Sequence, residues 1–170
     1  MERETIQQKI KKIAMRFKNC NYHYMSWVQL NECVGREDLE LPIEDIEEVV
    51  SSKPVICYLL PPSGYFNIKQ NGDTMTDNPL TAIVFIEQSE MDADGEANDI
   101  IIERMKHLAQ CFIREMNKSG DFNFIDKEQI VYSVVNERSL DDAFAGICVT
   151  IPLEGKPFYL CGETTDFGFE

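Results

Sequence analysis

Apolar residues recur at the spacing of an α-helix between residues 97 and 116, and this is the longest amphipathic pattern in the chain. Two runs rich in β-branched and aromatic residues follow at 130–135 and 143–153, with polar turn formers between them. Because a helix with one apolar face must cover that face, we expect it to pack on the sheet that these two strands help to build. The apolar stripe comprises Ile101, Ile102, Met105, Leu108, Ala109, Phe112, Ile113 and Met116.

The remaining patterns predict further helices and strands on either side of residue 50. An N-terminal helix is predicted over 4–18, where Ile6, Ile10, Ile13 and Phe17 form an apolar stripe. The order of elements predicts an α+β fold, in which a mostly antiparallel sheet packs against the N-terminal helix and one long amphipathic helix. Further strands are predicted at 22–34, 55–60, 65–70 and 80–87, and a short helix at 42–50.

The regular pattern ends at Leu153, so we expect a single domain over 1–153 and a C-terminal arm over 154–170. Aromatic residues in such an arm can pack on their own domain or reach a neighbouring copy of the chain. We favour the second arrangement, because the globular pattern is already complete before the arm begins. The aromatic residues concerned are Phe158, Tyr159, Phe167 and Phe169.

The charge is strongly acidic overall and unevenly distributed along the chain. Sixteen Lys and Arg against thirty Asp and Glu give a formal net charge of −14, which argues against sequence-independent nucleic-acid binding. Residues 1–18 hold six basic and two acidic residues, a net +4, so the other 152 residues carry −18. The basic side chains of the first helix either contact the acidic surface of a neighbouring copy or form a solvated helix face. These side chains are Lys9, Lys11, Lys12 and Arg16.

Cysteine usage and hydropathy indicate a reduced protein outside the membrane. The six cysteines include no CxxC pair, and we expect them to act mostly as small core residues in a reducing cytoplasm. No segment approaches the roughly 18 consecutive apolar residues of a membrane span.

One acidic segment, residues 92–103, resembles the calcium loop of an EF-hand. It has oxygen-bearing side chains at loop positions one, three, five, seven and twelve, and hard cations require such a density of oxygens. However, Ala97 stands where the EF-hand has its turn glycine, and Asp99 stands at a position that is usually apolar. The alternative is an acidic first helical turn that stabilises the helix dipole, and we favour it. The candidate calcium ligands are Asp92, Asp94, Glu96, Asn98 and Glu103.

The sequence contains no recognisable catalytic motif, and we predict that the protein is not an enzyme and needs no cofactor. His23 and His107 are far apart, and neither has the spacing of a catalytic triad. The acidic clusters at 44–48 and 141–142 are more typical of solvated helix and turn residues than of paired catalytic carboxylates. The glycine-containing turns lack the spacing of a Walker phosphate loop.

The order of elements from residue 82 to residue 153 resembles that of the tail-terminator, tail-completion and neck proteins of tailed bacteriophages. The resemblance rests on the apolar strand 82–86, the helix that ends at Met116, the strand 130–135 and the final strand within 141–153. It implies an N-terminal helix and an antiparallel sheet that packs with a second helix. It also implies a step of small residues, Ala145-Gly146, within the closing strand.

The resemblance implies a structural virion protein that forms a homo-oligomeric ring, a hexamer, at the tail or neck. Its partners would be copies of itself and neighbouring tail-tube or neck/connector proteins, and DNA would pass through the lumen without specific binding. An acidic lumen suits that role because it repels phosphate. The protein would be made in the host bacterial cytoplasm and located in the virion. The alternative is a non-viral protein- or ligand-binding module of a bacterium or mobile element.

Overall fold

The computed structural model describes residues 4–34, 53–61, 64–68, 74–89, 95–122, 125, 130–138, 143–153 and 158–159. These ranges contain three helices and seven strands. The helices are α1 (Ile6–Ala14), α2 (Trp27–Val34) and α3 (Gly95–Ser119). The strands are β1 (Asn21–Met25), β2 (Val55–Leu59), β3 (Gly64–Ile68), β4 (Thr74–Ser89), β5 (Val131–Arg138), β6 (Ala143–Pro152) and β7 (Phe158–Tyr159).

Five strands form a mixed main sheet in the order β1-β2-β4-β6-β5. The β1–β2 pair is parallel, whereas the β2–β4, β4–β6 and β6–β5 pairs are antiparallel. The second half of β4 lies between β2 and β6, while its first half pairs with β3 and β7. The expected α+β fold with a mostly antiparallel sheet is therefore confirmed. The parallel pair at one end was not predicted.

Helices α1 and α3 cover one side of the main sheet, which we call the α3 face. Alternate residues of β2, β4 and β6 point into this layer, and the side chain of Phe112 lies among them with 0% exposure. Its ring is 5.6 Å from that of Phe85 on β4 and 5.7 Å from that of Phe17, which follows α1. The prediction that the long helix packs on a sheet containing the next two strands is confirmed.

The opposite side of the sheet, the α2 face, carries a smaller apolar cluster under helix α2. Leu30 of α2 is fully buried there against residues of β2, β4 and β6. The predicted strand 22–34 is wrong beyond Met25. The Ser26 hydroxyl accepts from the backbone N–H of Gln29, and the Gln29 side chain accepts from the backbone N–H of Ser26. This reciprocal cap starts a helix, and it outweighs the strand preference of the aromatic and β-branched residues that follow.

Two predicted elements differ from the structure in their bounds, and a third cannot be compared with it. A strand was predicted at 80–87, but β4 extends over Thr74–Ser89 because its polar first half pairs with β3. Helix α1 ends at Ala14, and tight turns rather than helix occupy the residues that follow. The predicted helix at 42–50 lies outside the described residues.

Candidate assembly surfaces

Strand β5 is the last strand of the main sheet, and one of its two edges is unpaired within the described part of the chain. It pairs with β6 from Val131 opposite Thr150 to Arg138 opposite Ala143. Three of its large apolar side chains are exposed: Val131 at 67%, Tyr132 at 51% and Val134 at 55%. We call this open side of residues 131–138 the β5 edge.

The exposed apolar residues of β5 lie on both faces of the sheet. Val135 is buried in the cluster beneath α2, so the alternation of a strand places Val131 on the same α2 face. Tyr132 and Val134 point to the α3 face, opposite Val149 and Ile147 of β6. The run from Val131 to Val135 contains no charged residue and no proline, the usual devices that protect an edge strand from pairing with another chain.

Tyr132 of β5 contacts a side chain of helix α3. The Lys106 ammonium lies 5.2 Å from the centre of the Tyr132 ring, within the range of a cation–π contact. The same ammonium donates to the Glu103 carboxylate at 2.6 Å, and this hydrogen bond raises the pKa of Lys106. A charged residue thus contacts the aromatic ring, which stays half exposed.

Three of the four basic residues predicted to contact a neighbour make contacts within their own chain. Lys9 donates to the backbone carbonyl of Asp121 at 3.4 Å, and its ammonium lies 5.9 Å from the Phe122 ring centre. The remaining two pair with carboxylates, Lys12 with Glu4 and Arg16 with Glu115, the latter at 3.6 Å. A hydrogen bond from Lys118 lowers the pKa of Glu115, and the charge of Arg16 adds to this effect.

Lys11 differs from these three residues. It is exposed, and within the described residues it forms no ion pair and no side-chain hydrogen bond. If the basic helix contacts an acidic neighbour, Lys11 is the one of the four residues whose side chain has no partner among the described residues. The interface role of the four residues stays a prediction.

The C-terminal arm is partly attached to its own domain. The backbones of Phe158 and Tyr159 pair as strand β7 with Met75 and Thr74 of β4. At these two residues the backbone of the arm pairs with its own chain, which was the less favoured of the two sequence-based arrangements. Phe167 and Phe169 lie outside the described residues.

The described part of the calcium-like segment is a helix. Helix α3 begins at Gly95, so Glu96 and Asn98 have helical geometry at the positions where an EF-hand requires loop. Glu103 accepts from Lys106, and Asn98 is buried with 5% exposure. No three His, Cys, Asp or Glu side chains converge among the described residues. The favoured alternative, an acidic first turn, fits these residues, while Asp92 and Asp94 lie outside them.

One side-chain group on the outer face of α3 was missed by sequence analysis. The Cys111 Sγ lies 3.8 Å from His107 Nε2, and Arg114 Nη2 approaches the same sulfur at 4.0 Å. Residues four apart on a helix are neighbours, so the His-x-x-x-Cys spacing would have sufficed to predict the contact. The other histidine, His23, lies on β1.

Comparison with known proteins adds no family to this description. No family model matches the chain, and a search of curated proteins finds no match. Among the described residues no helix is both long and apolar enough to cross a membrane.

Proposed function

We propose that this chain is a structural virion protein of a tailed bacteriophage that forms a ring at the tail or neck, in a terminator or completion role. The observation that carries the proposal is the β5 edge, whose backbone has no partner strand among the described residues and whose exposed apolar side chains lie on both faces. Such an edge suits the addition of a strand from a second copy. In this role the protein is not an enzyme and acts through contacts with its own copies and with tail-tube or neck/connector proteins.

A closed ring requires a head-to-tail contact, in which the β5 edge of one copy meets a different surface of the next. The opposite end of the main sheet is β1, so a contact between β5 and β1 would continue the sheet from copy to copy. The ring would contain six copies, the number that the resemblance implies. DNA would pass through its lumen without specific binding, because a chain of net charge −14 repels phosphate.

The alternative function, a protein- or ligand-binding module, would use a pocket between helix and sheet. In the described residues this layer is filled by large side chains with 0% exposure, among them Phe85, Met105 and Phe112. A ligand could enter there only by displacing a packed core, which is costly. The described contacts between α3 and the sheet therefore support the structural role over this alternative.

The first test measures the mass and shape of the assembled wild-type chain. We expect light scattering after size-exclusion chromatography to give the mass of a ring, and negative-stain electron microscopy to show a central hole. A dimer would indicate symmetric pairing of two β5 edges, which cannot close into a ring, and would contradict the proposal. A monomer at high concentration that also fails to join tail tubes would contradict it as well.

The second test places a charge on the proposed contact. Val134→Lys introduces a lysine on the open strand. Charged side chains, lysine especially, prevent an edge strand from pairing with another chain, so the ring should dissociate to folded monomers. Val28→Lys is the matched control, because Val28 is also an exposed valine, at 63%, but lies on α2. Circular dichroism of both variants reports whether the fold is intact. If Val134→Lys forms rings as well as Val28→Lys does, the β5 edge is not the assembly surface.

A further inference from the structure

The outer face of α3 presents an imidazole and a thiol at the spacing of two ligands of one metal ion. His107 Nε2 and Cys111 Sγ are 3.8 Å apart. A tetrahedral zinc ion binds sulfur at about 2.3 Å and nitrogen at about 2.05 Å, which places the two ligand atoms about 3.6 Å apart. The two separations differ by only about 0.2 Å, which small side-chain rotations can absorb without moving the helix backbone.

The surroundings of this pair leave room for an ion on the solvent side. His107 is exposed and Cys111 is half-buried, so the pair lies on the solvent side of α3. The side chain of Arg114, 4.0 Å from the sulfur, is exposed and long enough to move away. No third His, Cys, Asp or Glu converges on the pair among the described residues, so water would complete the coordination.

We propose that His107 and Cys111 form a two-ligand site for a thiophilic divalent metal ion of the zinc and cadmium class. Thiolate and imidazole are the donors that such ions select over carboxylate and water. Binding converts the Cys111 thiol to a metal-bound thiolate and releases its proton to solvent, so the affinity rises with pH. The ion also links two successive turns of α3 and stabilises the folded chain in proportion to its occupancy. The site does not depend on the ring-forming role.

The test is a titration of the reduced full-length chain with Cd²⁺, followed through the ultraviolet charge-transfer band of a cadmium–thiolate bond. We expect one ion per chain, release of about one proton per ion above neutral pH and reversal by a chelator. Cys111→Ser should abolish this band. His107→Gln keeps all six cysteines and should weaken binding at least tenfold. Arg114→Ala removes a positive charge beside the ion and should tighten binding.

Two outcomes would overturn the proposal. If the band persists in Cys111→Ser, the metal binds other cysteines. If Cys111→Ser abolishes the band but His107→Gln binds as tightly as the wild type, the sulfur acts without the imidazole and there is no two-ligand site. The same titration with Zn²⁺, followed by the thermal unfolding midpoint, should show a rise in the wild type that is absent in Cys111→Ser and smaller in His107→Gln at the same Zn²⁺ concentration.

Discussion

Gly146 lies where strands β4 and β6 approach each other closely. It lies in β6 opposite Ile86 of β4, and a Cβ atom built on it would be 2.0 Å from the carbonyl oxygen of Phe85. Such a contact requires one strand to move, because the obstacle is backbone rather than a flexible side chain. The Ala145-Gly146 step that the resemblance drew attention to is thus a site of close strand approach.

We expect Gly146→Ala to lower the free energy of unfolding by about 2–3 kcal/mol, as overpacking of a tight core does. Urea unfolding followed by circular dichroism measures the change. Gly95→Ala is the control, since a Cβ atom there meets nothing within 4 Å and an alanine favours the helix that begins at this residue. Equal urea midpoints for the two variants would show that β4 and β6 can move apart without a loss of unfolding free energy.

At the scale of elements, the start of α2 depends on the two side-chain hydrogen bonds between Ser26 and Gln29. Ser26→Ala removes the acceptor for the Gln29 backbone N–H, and we expect a loss of about 1 kcal/mol in unfolding free energy. Ser26→Asp keeps an acceptor at the N-cap and should retain most of the wild-type stability. Urea midpoints of the three proteins provide the measurement, and a Ser26→Ala midpoint equal to that of the wild type would contradict the role of the cap.

The elements that sequence analysis predicted correctly are those whose signal is local and strongly periodic. The long helix α3 and the strands β5 and β6 fall into this group, because each buries one face and the spacing of its apolar residues records that face. Helix α2 was missed because Trp27 and Val28 favour a strand, and a two-bond cap decided the outcome. The parallel β1–β2 pair joins segments about thirty residues apart, and no local pattern records such a contact.

The candidate functional surfaces also differ in whether the sequence could have predicted them. The His107–Cys111 contact follows from helical spacing alone and was predictable from the sequence. The exposure of Val131, Tyr132 and Val134 was not, because the same apolar run could belong to an interior strand or to an edge. Only the order of strands in the sheet decides between these positions. The surface that carries the functional proposal is therefore a property of tertiary structure.

At the scale of the whole molecule, the charge is unevenly distributed along the chain, but most of the basic side chains predicted to contact a neighbour already have contacts within the chain. The first 18 residues carry a net +4 and the rest −18, yet Lys9, Lys12 and Arg16 already have partners in their own chain. Reversing these three charges would break intramolecular contacts as well as any contact with a neighbour. Lys11 separates the two effects, since its side chain is exposed and forms no ion pair among the described residues.

We expect Lys11→Glu to raise the protein concentration needed for ring formation by about fivefold or more, because it removes one exposed ion pair, worth up to about 1 kcal/mol, and places a like charge opposite the acidic neighbour. Lys53→Glu is the matched control, because it also changes the net charge from −14 to −16 but lies next to β2 rather than on α1. The difference should shrink in high salt, where contacts between exposed charges are screened. Sedimentation over a range of concentrations provides the measurement. Equal behaviour of the two variants at low salt would show that the basic helix is a solvated face, and assembly would then rest on the β5 edge alone.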